Sequence, residues 1–228
     1  LTIALSGLGL VILMLAMGFS RSDGRLRVWW LDVGHSNAVL IQTPGGAQIL
    51  VDGGRFPSRL LTALGDRLPF YDREIEIMVV SQPDPFDTSA LPAVLSRYQV
   101  GTVLTNGQVT QTAEDERIRT AIGAQPMVAV HAGYTVNFDD GTVLEVLHPQ
   151  TTPEFGDPLG DGTMVLRLSY GDVSILLPGD LSLQGQFELL DAGQWPLATV
   201  LQMPQQGTQR SLSTAFLEAI QPQAVILQ

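Results

Sequence analysis

The chain has 228 residues, with 23 acidic and 12 basic side chains, a net charge of −11 and no cysteine. That balance excludes disulfide staples and thiolate metal sites. It also repels nucleic acid unless basic residues cluster or metal ions intervene, and no such cluster is present, so direct DNA binding is not expected.

In chain order, Leu1 to Phe19 carries no charged residue and only Thr2 and Ser6 as polar ones. A run of this length matches the hydrocarbon thickness of a bilayer and predicts a transmembrane helix over 1–19. A signal peptide would need a basic start and a small-residue cleavage site, and neither is clear. The first residue is Leu rather than Met, which is expected of a fragment. Residues 20–26 form a linker, and Arg21, Arg25 and Arg27 sit beside the span. By the positive-inside rule that flank favours a cytoplasmic domain, although orientation is set by every span of a polytopic protein.

From residue 27 onward the pattern becomes short apolar runs divided by Gly, Pro and Asp. Arg27–Val33, Ala38–Thr43 and Gln48–Asp52 read as strands, with Pro44-Gly45-Gly46 turning between the second and third. Leu60, Leu61, Leu64 and Leu68 fall on one face of a helix over Arg59–Leu68. A buried strand at Glu76–Ser81, a Pro/Asp-rich loop, a helix at Ala90–Tyr98 and a strand at Gly101–Thr105 follow. Ala113–Ile122 is a polar helix. Strands are expected at Met127–Val130, Tyr134–Phe138, Val143–Leu147, Met164–Tyr170 and Ser174–Leu177. Leu183–Leu190 is a helix before a strand at Thr199–Met203, and Ser213–Ile220 is a helix before a last strand at Ala224–Leu227. Strands mixed with helices in both halves predict an α/β (α+β) domain of two packed sheets covered by helices.

Three strand ends carry acids beside turn residues: Leu50-Val51-Asp52-Gly53-Gly54, Ser81-Gln82-Pro83-Asp84-Pro85-Phe86-Asp87, and Leu177-Pro178-Gly179-Asp180. Loops at the ends of rigid strands are where catalytic groups concentrate. Asp-Gly and Pro-Asp pairs are also common turn builders, so the signal lies in their joint order.

That order resembles the ComEC family of bacterial competence proteins, which move DNA through the membrane. The resemblance runs through Trp29-Trp30-Leu31-Asp32-Val33-Gly34-His35-Ser36-Asn37, Ile49 to Gly54, Ser81 to Leu91, Leu147-His148-Pro149, Met164 to Leu168, Pro178-Gly179-Asp180 and Met203 to Thr208. It implies a metallo-β-lactamase-like αββα sandwich preceded by one transmembrane helix. It also implies a bacterial cell-membrane location with the soluble domain extracytoplasmic, against the arginine flank. The domain would occupy 27–228 and be truncated at its C-terminus, before a histidine-bearing segment that family members carry. Implied partners are membrane lipid through residues 1–19 and a DNA-translocation assembly.

The departures from that family bear on mechanism. Where its loop reads Ser-His-Pro-Asp-x-Asp-His, this chain has Gln82 and Asp87 at the histidine positions and Phe86 at the second acid, and only Asp84 matches. The family's Pro-His-His-Gly is Pro204-Gln205-Gln206-Gly207, its opening Gln-Gly-Asp is His35-Ser36-Asn37, and Asp180 matches the bridging carboxylate. Zinc and manganese sites of this kind rely on imidazoles with carboxylates, which a Gln amide replaces poorly. Asp84, Asp87 and Asp180 remain as metal candidates, suited to loosely held Mg²⁺ or Ca²⁺. His35, His131 and His148 occupy none of the replaced positions and are expected in ordinary structural roles. The leading expectation is an inactive domain with no cofactor. The competing ones are a hydrolase of nuclease or phosphodiesterase type using the three acids, and a membrane-anchored binding or scaffold domain unrelated to DNA.

Overall fold

The computed structural model describes residues 23–227. The transmembrane helix expected over 1–19 and the first part of the linker lie outside those residues. Among the described residues no helix is long and apolar enough to cross a membrane.

Two six-stranded sheets form the body of the domain. The first contains β1 (Arg27–Trp30), β2 (Val39–Gln42), β3 (Gln48–Val51), β4 (Glu74–Val80), β5 (Gln99–Thr105) and β6 (Met127–Ala129), in that spatial order. The second contains β7 (Thr135–Asn137), β8 (Val143–His148), β9 (Val165–Tyr170), β10 (Val173–Leu177), β11 (Val200–Gln202) and β12 (Ala224–Ile226), again neighbour to neighbour. Each strand of the sequence reading has its counterpart, with ends displaced by a few residues.

Parallel and antiparallel pairing follow from the connections. A parallel pair needs a crossover long enough to return the chain to the same end of the sheet. Helix α1 (Pro57–Arg67) supplies it between β3 and β4, and α2 (Pro85–Thr88) with α3 (Leu91–Leu95) between β4 and β5. Helix α4 (Ala113–Ile122) does so before β6, α5 (Leu183–Asp191) between β10 and β11, and α6 (Thr214–Ile220) between β11 and β12. Connections without a crossover helix give the antiparallel pairs β1–β2–β3 and β7–β8–β9–β10, the longest of them running from His148 to Val165.

Alternation along the strands sorts the core into layers. On β2 and β3, Val39, Ile41, Ile49 and Val51 face Leu144, Val146, Leu166 and Leu177 of the second sheet. Leu40 and Leu50 point the other way, to Leu60, Leu64 and Val94 under the helices. Leu176 and Leu201 of the second sheet pack beneath Leu189, Phe216 and Ile220. Period-two burial on both faces produces a helix–sheet–sheet–helix sandwich.

The Pro/Asp-rich loop departs from the sequence reading. Its middle is helix α2, because Asp84 caps it by accepting from Phe86 N at 2.7 Å and Pro85 occupies the first turn, where no N–H is needed. The helix expected over Ala90–Tyr98 accordingly shrinks to α3. Gly54 has φ 72° and a Cβ there would meet Val33 Cγ2 at 2.7 Å, so the chain can turn out of β3 only with glycine.

Candidate functional site: a carboxylate pair bound by amides

The carboxyl ends of parallel strands carry ligand sites in open α/β sheets. Asp52 follows β3, Ser81 to Asp87 follow β4, Asp180 follows β10, and Gln202 to Gln206 end and follow β11. Both sheets therefore deliver their sequence-flagged loops to one place.

At its centre lie Asp87 and Asp180, close enough that the charge of Asp180 opposes ionisation of Asp87. Asp87 is 0% exposed. Its Oδ1 accepts from Asn37 N at 3.0 Å and Asn37 Nδ2 at 3.5 Å, and its Oδ2 accepts from Gln82 Nε2 at 3.1 Å. Asp180 Oδ1 accepts from Asn37 Nδ2 at 2.7 Å and from Gln206 Nε2 at 3.2 Å. Behind these donors stands a second set of hydrogen bonds. Gln202 Nε2 donates to Asn37 Oδ1 at 3.2 Å, and Thr163 Oγ1 donates to Gln82 Oε1 at 2.6 Å. Asn37 and Gln82 are thus each oriented with the carbonyl satisfied from behind and the NH₂ turned toward an acid.

Gln205 and Gln206 owe their position to strained backbone. Both are left-handed, at φ 49° and 51°, in the short turn Pro204–Gly207. Non-glycine residues adopt that region at a cost and are held there by surroundings. Here Gln205 N donates to Gly179 O at 3.0 Å, which ties the turn to the loop bearing Asp180. Gln205 Nε2 itself reaches only the Asp180 backbone carbonyl, at 3.4 Å.

Burial and like charge set the protonation of the pair. Burial first and the Asp180 charge second push Asp87 up to about 7, against the hydrogen bonds from Asn37 and Gln82. Burial also raises Asp180, opposed mainly by Asn37. Asp52 is driven up by burial and then by the charge of Asp87, although Ser81 N and Oγ bind its two oxygens at 2.9 and 2.7 Å. Two adjacent buried acids cannot easily both ionise, so the Asp87–Asp180 pair titrates as a unit.

The sequence-flagged residues separate into two groups. Gln82, Asp87, Asp180 and Gln206 come together in the centre. Asp84 lies close enough for its charge to disfavour ionisation of both Asp87 and Asp180, but its Oδ1 is committed to capping α2. Phe86 projects outward, 53% exposed, with the Arg55 guanidinium 5.0 Å from its ring centre. Gln205 stands at the margin. His35 is exposed, His131 Nε2 lies 3.0 Å from Thr152 Oγ1, and His148 is buried with Nδ1 3.0 Å from Thr163 O. Thr163 and Gln202, which orient the amides, had no signal in the sequence beyond being polar in otherwise apolar strand termini.

No protein-family model matches this chain, and no curated protein matches it. Solved structures do. A CmlA β-hydroxylase mutant superposes with a TM-score of 0.54 at 15% identity, over 88% of this chain and 44% of its own. MEM-A1, a subclass B3 metallo-β-lactamase isolated from a soil metagenome library, superposes at 0.53 with 13% identity, over 79% of this chain and 77% of its own. A HARLDQ-motif mutant of a metallo-β-lactamase from Cronobacter sakazakii gives 0.50 at 14% identity, over 79% and 76%. The chain has the metallo-β-lactamase fold. It spans less than half the length of the hydroxylase.

Metal centres implied by the metallo-β-lactamase fold do not fit the residues present. Imidazole and carboxylate lone pairs must converge on such an ion. Among the described residues no group of three or more His, Asp or Glu is arranged to hold one. Where the ions would sit, Gln82, Asn37 and Gln206 present N–H donors instead, directed at the carboxylate oxygens that a metal would need. The arrangement satisfies the acids with amide donors, and it leaves no solvent-facing base on Asp87.

Proposed function

We propose that this chain is a non-catalytic domain of the ComEC type, a metallo-β-lactamase fold retained as a structural part of a membrane-embedded DNA-uptake assembly. In this reading residues 1–19 anchor it in lipid, the sandwich stands outside the cytoplasm, and no cofactor is required. The observation that carries the non-catalytic part is the amide ring around Asp87 and Asp180. Three side-chain amides donate to acids that metal-assisted hydrolysis would need as bare ligands. Polar residues at ligand positions could be remnants, but these are mutually satisfied, as a kept structural network would be. The assembly role is supported by the order of motifs shared with ComEC proteins across nearly the whole chain. The net charge of −11 favours contact with other protein parts over direct contact with DNA phosphates.

The test is elemental analysis of the full chain purified without chelators, together with hydrolysis of a phosphodiester substrate in Mg²⁺, Mn²⁺ and Ca²⁺. The expected result is no stoichiometric zinc or manganese and no hydrolysis above the buffer rate. Two equivalents of either metal, with hydrolysis abolished in Asp180→Asn, would overturn the reading in favour of a working hydrolase.

A further inference from the structure

The chain enters the sandwich at the end opposite the Asp87–Asp180 centre. Arg27, the first residue of β1, pairs in register with Gln42, and Gln42 with Gln48, the first residue of β3, whereas Asp52 follows the far end of β3. Asp72, just before β4, accepts from Gln48 Nε2 at 2.6 Å. In the second sheet, Asp140, between β7 and β8, accepts from Gly45 N at 2.6 Å, and Thr199 Oγ1, just before β11, donates to Ser174 O at 2.7 Å. These bonds gather the connections before β4, β8, β10 and β11 at the end where the chain comes in.

This end exposes large apolar side chains. Phe70, before β4, is 85% exposed, the most of any large apolar residue described, and Trp195, between α5 and β11, is 68% exposed. Val173 and Leu197 at the same end are each about half exposed. Phe70 meets the ring of Tyr71 edge-on at 5.3 Å, which adds a second aromatic. The exposed rings at the opposite end are differently placed. Phe56 and Phe86 have the Arg55 and Arg59 guanidiniums 5.0 to 6.0 Å from their ring centres. Aromatic side chains left in water forgo the stabilisation of burial, and Trp and Tyr are favoured at the level of lipid headgroups.

The length of the connection decides what covers them. Residues 20–26 alone separate the apolar run 1–19 from β1. Even fully extended, that stretch reaches no more than about 30 Å, and the salt bridge from Arg27 to Asp23 shortens it. We infer that this end of the sandwich rests on the bilayer surface, with Phe70 and Trp195 inserted at headgroup level and Val173 and Leu197 beside them. The inference rests on reading residues 1–19 as a membrane anchor. Arg27 and Arg73 share this end with Asp139 and Asp172, so the contact is apolar and needs no anionic lipid. The strand-end loops that carry Asp87 and Asp180 then face away from the membrane.

The test uses the full chain in vesicles of phosphatidylcholine brominated near the headgroup end of its acyl chains. Flotation after an alkaline wash reads the anchor, and bromine quenching of tryptophan, which needs contact, reads the docking. Trp195 is one of three tryptophans, and Trp29 and Trp30 lie partly buried in β1. Brominated lipid should therefore remove about a third of the emission in the parent chain and almost none in W195F. F70D alters an exposed side chain, so it should float and keep its far-ultraviolet circular dichroism while losing at least about half of the quenching. Flotation without quenching, or quenching undiminished in W195F or in F70D, would overturn the inference and leave the anchor standing. Failure of the parent chain to float would overturn the anchor reading and the inference with it.

Discussion

Asn37 Nδ2 lies 2.7 Å from Asp180 Oδ1, joining the loop after β1 in one sheet to the loop after β10 in the other. The same amide nitrogen lies 3.5 Å from Asp87 Oδ1, so one side chain serves both acids. Its place in a buried, charge-assisted network makes it a structural joint. Asn37→Ala removes a donor from each carboxylate and breaks the bond that Gln202 Nε2 makes to Asn37 Oδ1. The expected loss is about 2–3 kcal/mol of folding stability, seen as a lower urea midpoint at pH 7 with unchanged slope. A loss below about 0.5 kcal/mol would mean that water replaces the amide freely.

Gln82 tests whether the amides hold the site shut. Its Nε2 donates to Asp87 and its Oε1 accepts from Thr163, with the residue 1% exposed. Gln82→His returns the family residue to its position but cannot reproduce both bonds at the same reach. The single substitution is expected to destabilise by about 1–3 kcal/mol and to add no stoichiometric metal, because Asn37 and Gln206 still occupy the acids. Thermal denaturation with elemental analysis of the variant checks both halves.

Most of this fold was legible because strand periodicity and turn residues are local properties. Leu40 and Ile41 advertise two buried faces by sitting next to each other, and the parallel crossovers follow from helices lying between strands. The departures had identifiable causes. Asp84 looked like a remaining ligand, whereas a carboxylate followed by Pro85 is also a helix N-cap, and that local bond claims one of its oxygens. Asp87 reads in the sequence as a metal candidate standing at a histidine position, and in the fold it is the most enclosed member of the centre. The convergence of Asn37, Thr163 and Gln202 on it spans separations of up to 165 residues, which no local pattern can express.

Close packing next to Asp52 supplies an independent check on the turn that places it. A Cβ on Gly53 would stand 2.5 Å from Leu91 Cδ2 and 2.9 Å from Leu60 Cδ2. Gly53 N also donates to Asp87 O at 2.8 Å, so displacement of this turn moves the centre. Gly53→Ala is expected to cost about 1–3 kcal/mol through overpacking, whereas Gly65→Ala, with nothing within 4 Å of its Cβ, should not destabilise. Paired chemical-denaturation curves distinguish the two.

The acid pair predicts an unusual dependence of stability on pH. Asp87 titrates at about 7 in the folded chain and near its ordinary value of 3.8 when unfolded. Between those values the folded state binds the extra proton. The stabilisation is therefore complete below about pH 4 and is lost as pH rises through 7. Asp52 and Asp180 shift in the same direction. His148 works against them, because its lowered basicity makes the unfolded state the stronger proton binder around its ordinary value of 6.5. Burial pushes Asp140 up, but hydrogen bonds from Thr43, Thr142 and Gly45 outweigh it and bring Asp140 down to about 2. Its contribution is lost only in strong acid, outside the range concerned. Asp87→Asn isolates the group of interest, since the amide has the shape of the acid and no titration. The parent chain is expected to lose on the order of a few kcal/mol between pH 5 and pH 8 relative to that variant. Urea midpoints at both pH values measure the difference, and parallel losses in the two proteins would mean that Asp87 is ionised in the folded chain throughout.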